Sequence, residues 1–240
     1  DIAVPPQVLL SIVEKIPANS VCQLQKPMGN SMEEAKKIRD IIHEKKITAC
    51  VNLQLKFSPM MIALKEAIDK KMLGKLTELE ISLSVGTPWH LWPFLETLDN
   101  VEVTLHSIHY MYWIRSVLGN PISVHCKSVK HPNLPNLADA RSSIILQYED
   151  DVRCCLSINH THDNSSHGMK HSHAYARVEG LDGAAYIKFG LLLNYPNGEP
   201  EEIEISTKDV DWTKVKNVGT WFPDAFIGTM SSLQRYASGE

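Results

Sequence analysis

No stretch of this sequence stays apolar for the ~18 residues that a membrane span needs, and its start lacks the basic-then-apolar layout of a secretory signal. Lysine and arginine are scattered, and the formal charge is −4. That leaves no electrostatic footprint for nucleic acid or anionic lipid. Cysteine is sparse: five residues, an odd number with no CxxC spacing, and Cys154 and Cys155 are adjacent. Neighbours in a strand point to opposite faces, so these read as reduced thiols filling core rather than as a disulfide framework. There is no internal repeat, no low-complexity tract and no glycine-rich GxGxxG turn. A cytoplasmic globular protein is expected. With 43% hydrophobic residues, a chain of 240 can bury either one large core or two small ones.

The periodicity divides the chain. Residues 1–56 alternate short apolar runs with amphipathic segments: Ile2 to Val4, a helix around Val8 to Val13, Val21 to Leu24, a helix opened by Ser31 and Glu34 as a capping box, and Ile47 to Leu53. Such alternation reads as part of a parallel α/β sheet. Ser58 and Pro59 start a further helix with Met61, Leu64, Ile68 and Met72 on its buried side and Gly74 at its stop. The period then changes to two: Leu79, Ile81, Leu83 and Val85 alternate with polar residues, and similar strands are expected at Ser143 to Tyr148, Arg153 to His160, His171 to Glu179, Ala184 to Phe189 and Glu202 to Ser206. Residues 57–240 therefore form a mainly antiparallel, open-faced sheet domain with helices on one side. The expected fold class is α/β followed by α+β.

Within the second part, Val101 to Leu118 is helical in pattern, with Val101, Leu105, Ile108 and Tyr112 as its core stripe. A neighbouring stripe carries Glu102, His106, His109 and Trp113. A carboxylate four residues before an imidazole can orient it and raise its pKa. Another unusual feature is "QLQKP", an apolar run that ends in Lys26 locked against Pro27. A partly desolvated lysine at the mouth of a sheet can donate to a substrate oxygen and tune its acidity.

The order strand, Gln25-Lys26-Pro27, helix, strand, Lys56-Phe57-Ser58-Pro59, helix and antiparallel sheet resembles the glucose-fructose oxidoreductase, inositol dehydrogenase and rhizopine catabolism family of NAD(P)-dependent oxidoreductases. Its "EKP" motif corresponds to Gln25-Lys26-Pro27, its "TP" turn to Val4-Pro5, and its "GxHxxDxxRxxxG" helix to Ser107, His109, Tyr112, Arg115 and Gly119. The resemblance implies a Rossmann-type sheet in residues 1–56, whose glycine-rich part would precede Asp1, and a substrate and oligomerisation domain in residues 57–240. It further implies NAD or NADP as cofactor beside Pro5, Gln25, Lys26 and Pro27, and hydride transfer to or from a sugar, cyclitol or related polyol. Lys26 is the implied catalytic group beside the nicotinamide, often with an unusual peptide geometry at the following proline, and His109 the implied base, with His106 or Glu102 assisting. A homodimer or homotetramer through the open sheet face is also implied. Leu105 and Tyr112 stand where the family carries carboxylates. That departure leaves a non-catalytic ligand or dinucleotide sensor as the alternative.

Two further groups are candidate substrate contacts. Trp89 and Trp92, in "TPWHLWP", are polar-tipped aromatics of the kind that stack on sugars, or simple loop packing. In "NHTHDNSSHGMKHSH" a hairpin would set His162 opposite His171 and His160 opposite His173, gathering four imidazoles on one face. Such a cluster suits a substrate pocket, a subunit interface, a metal or plain loop ends; since the family does not generally need a metal, none is expected.

Overall fold

The computed structural model describes residues 1–149, 151–162, 170–216 and 219–240. Helix α1 (Pro6–Val13) takes its proline at the start, where the missing N–H costs nothing, and buries Leu9 and Val13. Strand β1 (Val21–Leu24) pairs in parallel with β2 (Thr48–Val51) across α2 (Met32–Glu44), as the alternating pattern requires. The capping of α2 differs in one detail from a reciprocal box. Ser31 Oγ accepts from Glu34 N at 3.2 Å, but the Glu34 carboxylate reaches past it to Asn30 N. Of the run Ile2 to Val4, only Ile2 bridges the sheet, parallel to Leu24.

Helix α3 (Pro59–Asp69) buries Met60, Met61, Leu64 and Ala67. Met72, expected on the buried side, is exposed, because the helix has already stopped at Asp69. Strand β3 (Leu76–Ser84) opens the second, eight-stranded sheet, which continues through α4 (Ile108–Leu118), β4 (Ser123–Val129), β5 (Arg141–Gln147), β6 (Arg153–Asn159), β7 (His173–Gly180), β8 (Gly183–Lys188), β9 (Glu202–Thr207) and β10 (Val210–Lys214). Its strand order is β10-β9-β8-β7-β3-β6-β5-β4. One face is dry: Leu79, Ile81, Leu156, Ile158, Ala176, Val178 and Ile187 are all nearly solvent-free and pack under α3 and α4. The other face is open and carries Glu80, Tyr175, Arg177, Tyr186 and Trp212.

Two expectations fail here for definite reasons. β6 and β7 do not form a hairpin. β3 lies between them, parallel to β6 with Ser84 beside Asn159, and antiparallel to β7 with Ser84 beside His173. In addition, the helix expected from Val101 begins with a π turn over Val103–Ser107 before α4. A π turn inserts one residue and rotates all that follows it. Val101 and Leu105 are therefore buried as expected, while Tyr112 is exposed and Trp113 and Ile114 take the core positions. No helix among the described residues is long and apolar enough to cross a membrane.

Helix α5 (Ala225–Ser238) lies against the turn at Gln54–Phe57 and the small sheet. A Cβ on Gly228 would stand 2.6 Å from the Cβ of Phe57, a fixed atom rather than a flexible tip, so α5 sits where it does because that position lacks a side chain. We expect Gly228→Ala to cost about 1–3 kcal/mol as overpacking, read by urea denaturation. A matching stability for Gly228→Ala and the parent would refute the close contact.

Candidate active site

The site forms where strand ends converge. β3 and β6 run parallel, so both deliver their carboxyl ends to one side, β3 into Val85 to Trp89 and β6 into His160 to His162. These ends are tied together: Val85 N donates to Asn159 O at 2.9 Å, His162 N to Val85 O at 3.1 Å and His160 N to Ala140 O at 3.1 Å. His160 continues the buried face of Cys154, Leu156 and Ile158 and is itself only 2% exposed. β1 supplies Lys26 from its own carboxyl end, and the Lys26–Pro27 peptide is cis. Gln25 beside it is held by Asn52 Nδ2, which donates to its Oε1 at 3.0 Å, and by the Asp1 carboxylate.

A cavity of about 290 Å³ lies between these ends, lined by Gln25, Lys26, Trp89, Trp92, Phe94, Leu95, Leu105 and His106. Its loop wall is anchored to α1: Gln7 Nε2 donates to Phe94 O at 3.1 Å and to Thr97 Oγ1 at 2.6 Å. Trp89 is buried and donates its Nε1 to His160 O at 2.9 Å, whereas Trp92 is 38% exposed at the cavity mouth.

Behind the cavity is a polar cluster. The His106 and His160 rings stack at 3.9 Å between centroids, and Trp89 stands edge-on to both. Glu102 is fully buried; its carboxylate accepts from Ser107 Oγ at 2.7 Å across the π turn and from Ser142 Oγ of β5, and lies 4.0 Å from His160 Nε2. Two hydroxyls only partly replace lost water, so burial pushes the Glu102 carboxyl up to about 7. Burial and the nearby Lys26 charge push His109 and His160 down to about 3; burial, then the neighbouring His160 and Lys26, push His106 well below its ordinary value, leaving these imidazoles neutral. Burial likewise pushes Lys26 down to about 8.

The structure brings together Gln25, Lys26, Trp89, Trp92, Glu102, His106 and His160. His109 is buried and within electrostatic reach of Lys26 but does not line the cavity. Pro27 is buried behind Lys26, and Pro5 is exposed at the start of α1. The imidazole face expected from a hairpin is corrected, because β3 separates its strands. His162 uses both ring nitrogens, Nδ1 with Ser84 Oγ at 2.8 Å and Nε2 with Lys170 O at 2.8 Å. His173 lies on the open face, bonded to Ser82 Oγ at 3.0 Å, and His171 is exposed. Of the hairpin loop expected at Asp163 to Lys170, residues 163–169 lie outside the described residues.

Asp139 and Ser142 had no signal in the sequence. Asp139, 4% exposed, accepts from Val101 N at 2.9 Å and Glu102 N at 2.7 Å, capping the helix start that carries Glu102. Asp139→Ala leaves two buried N–H groups without that acceptor, and we expect a loss of about 1–3 kcal/mol by chemical denaturation. Asp139→Asn, which keeps one side-chain oxygen, should lose less; equal stability of the alanine variant and the parent would refute the cap.

No family model matches the chain and no curated protein sequence matches it significantly. Solved structures do. An oxidoreductase from Agrobacterium radiobacter in complex with NAD+, L-tartaric acid and magnesium aligns over 100% of this chain and 70% of its own, at 16% identity and TM-score 0.75. Levoglucosan dehydrogenase in complex with NADH and levoglucosan aligns over 100% of this chain and 71% of its own, at 14% identity and TM-score 0.78. An inositol dehydrogenase homolog from Azotobacter vinelandii, in complex with NADH and myo-inositol, aligns over 99% and 67%, at 14% identity and TM-score 0.71. A short parallel sheet joined to a large, mostly antiparallel sheet is thus the fold this chain shares with these solved structures.

Proposed function

We propose that the protein is an NAD(P)-dependent oxidoreductase that interconverts a hydroxyl and a ketone on a sugar, cyclitol or related polyol. The observation that carries this reading is Lys26: a half-buried lysine at the carboxyl end of a parallel strand, opening onto a cavity walled by Trp89 and Trp92. Ligands of open parallel sheets bind at such strand ends. The residues there suit a dinucleotide, since the ends of Ile2 to Val4, β1 and β2 present Pro5, Gln25, Lys26 and Asn52 along one edge. A bound nicotinamide would supply the hydride chemistry.

The chain's own part is proton transfer and orientation. A general base works best when its pKa lies near the operating pH. The imidazole of His109, pushed down to about 3, is a poor base by that measure, and Lys26, at about 8, is well matched. We therefore assign proton exchange with the substrate hydroxyl to Lys26. His106 serves as a neutral hydrogen-bond partner in the cavity, His109 as a neutral neighbour of Lys26, and Glu102 holds the cluster from behind. Trp92, at the mouth, offers a face for the apolar side of a sugar ring. The boundary near residue 57, a cytoplasmic location and association through the open sheet face, which exposes Tyr186 and Trp212, belong to the same proposal.

The test is appearance of reduced nicotinamide across a panel of polyols with NAD+ or NADP+, using the full polypeptide that carries this chain. Lys26→Ala should lose about 10²–10⁴-fold in kcat. Oxidation should rise with pH through a midpoint near 8, as Lys26 loses its proton, and level off above it; the imidazoles facing it are His106 in the π turn, His109 on α4 and His160 after β6, all neutral across that range. The rise should be absent in Lys26→Met. Binding of dinucleotide with no turnover on any polyol would favour a sensor.

A further inference from the structure

The polar cluster behind the cavity has more ligating capacity than the proton-transfer role uses. Glu102, His106 and His160 each offer one ligand atom, and these atoms all lie within 4.8 Å of one another. His160 Nε2 and His106 Nδ1 are buried with no hydrogen-bond partner. Unpartnered buried nitrogens cost free energy unless something accepts from or coordinates them.

We propose that Glu102, His106 and His160 form a binding site for one divalent transition-metal ion of the class that Zn2+ represents. Two imidazoles and one carboxylate are a set that zinc takes when a fourth position is left for water or substrate. The supporting contacts are those a metal site needs. His160 Nδ1 is bonded to Thr87 Oγ1 at 2.9 Å, and with its proton there the Nε2 lone pair is directed to the cluster. Ser107 and Ser142 orient the Glu102 carboxylate, and Asp139 fixes the backbone that carries it. Zinc bonds of about 2.0–2.1 Å bring ligand atoms to roughly 3.3 Å from one another. Uptake of the ion therefore requires the His106 ring to turn out of its stack on His160 and the three ligand atoms to draw closer than the 4.8 Å within which they now lie. His106 also lines the cavity beside Lys26, so the site borders the space assigned to substrate.

The site is independent of the dinucleotide reading and is tested without turnover. Protein purified without a histidine tag and stripped with chelator is titrated calorimetrically with Zn2+, and with Co2+ by visible absorption. One ion per chain is expected, with d–d bands of nitrogen and oxygen coordination. Glu102→Gln, which keeps shape, and His160→Ala should each abolish stoichiometric uptake, Thr87→Val should weaken it about 10–100-fold, and Lys26→Met should strengthen it by removing an opposing charge. His173→Ala, on the open face, should change nothing. Absence of stoichiometric uptake by the parent protein, or uptake undiminished in Glu102→Gln and His160→Ala, overturns the site. A protein that binds Zn2+ but reduces no dinucleotide keeps this inference and loses the oxidoreductase reading.

Discussion

The parallel pairing of β3 with β6 is the constraint on which the site depends. Every other neighbouring pair in the large sheet is antiparallel, and antiparallel neighbours send their carboxyl ends to opposite edges. One parallel pair sends two to the same edge. Because β3 and β6 are both central strands, the segments that leave them, Val85 to Trp89 and His160 to His162, emerge side by side over the core. His160 keeps the alternation of β6 and so remains on the dry face, where His106 and Trp89 cover it. An imidazole placed one residue earlier would have pointed to the open face, as His173 does.

That placement sets the electrostatics. Three imidazoles, a carboxyl group and an ammonium share a volume from which water is largely removed. Each loses hydration, and each is pushed towards its neutral form: the histidines and Lys26 down, Glu102 up. The cluster thus holds many donors and acceptors at little net charge. Serines and a threonine, rather than ions, partner the buried ring and carboxylate. A group of this kind can accept a cation or a polar substrate without first releasing a tightly held counter-ion.

Much of this was legible in the sequence, and what was not has a physical cause. The period of two in Leu79, Ile81 and Leu83 marks β3 because one face of that strand is dry. The edge strands β4 and β10 carry no such mark, since nearly all their residues face solvent. Glu102 and His106 stood out by spacing, yet the π turn that rotates the helix by one residue leaves no periodic trace, so Tyr112 was expected inside and is outside. The histidines of the expected hairpin were grouped by proximity in sequence. Their pairing is decided by β3, about eighty residues upstream, and long-range strand order is not written in local pattern. Lys26 was legible because a lysine between an apolar run and a proline has few reasons to be there.

Lys26 and the polar cluster come from different sheets, so their separation is set by how the two sheets are tied. α5 packs its glycine on Phe57, Gln7 bonds the loop at Phe94 and Thr97, and Lys56 reaches the hydroxyl of Tyr112 at 3.3 Å with its ammonium 5.0 Å from the ring centroid. The first of these contacts is apolar and close-packed, and tolerates little sliding. The other two are exposed or half-exposed polar contacts, each worth about 1 kcal/mol or less against competing water. Close packing at Phe57, more than the two polar ties, therefore sets how the small sheet sits against the large one. Tyr112, which the π turn leaves outside the core, is where α4 meets the Lys56 tie.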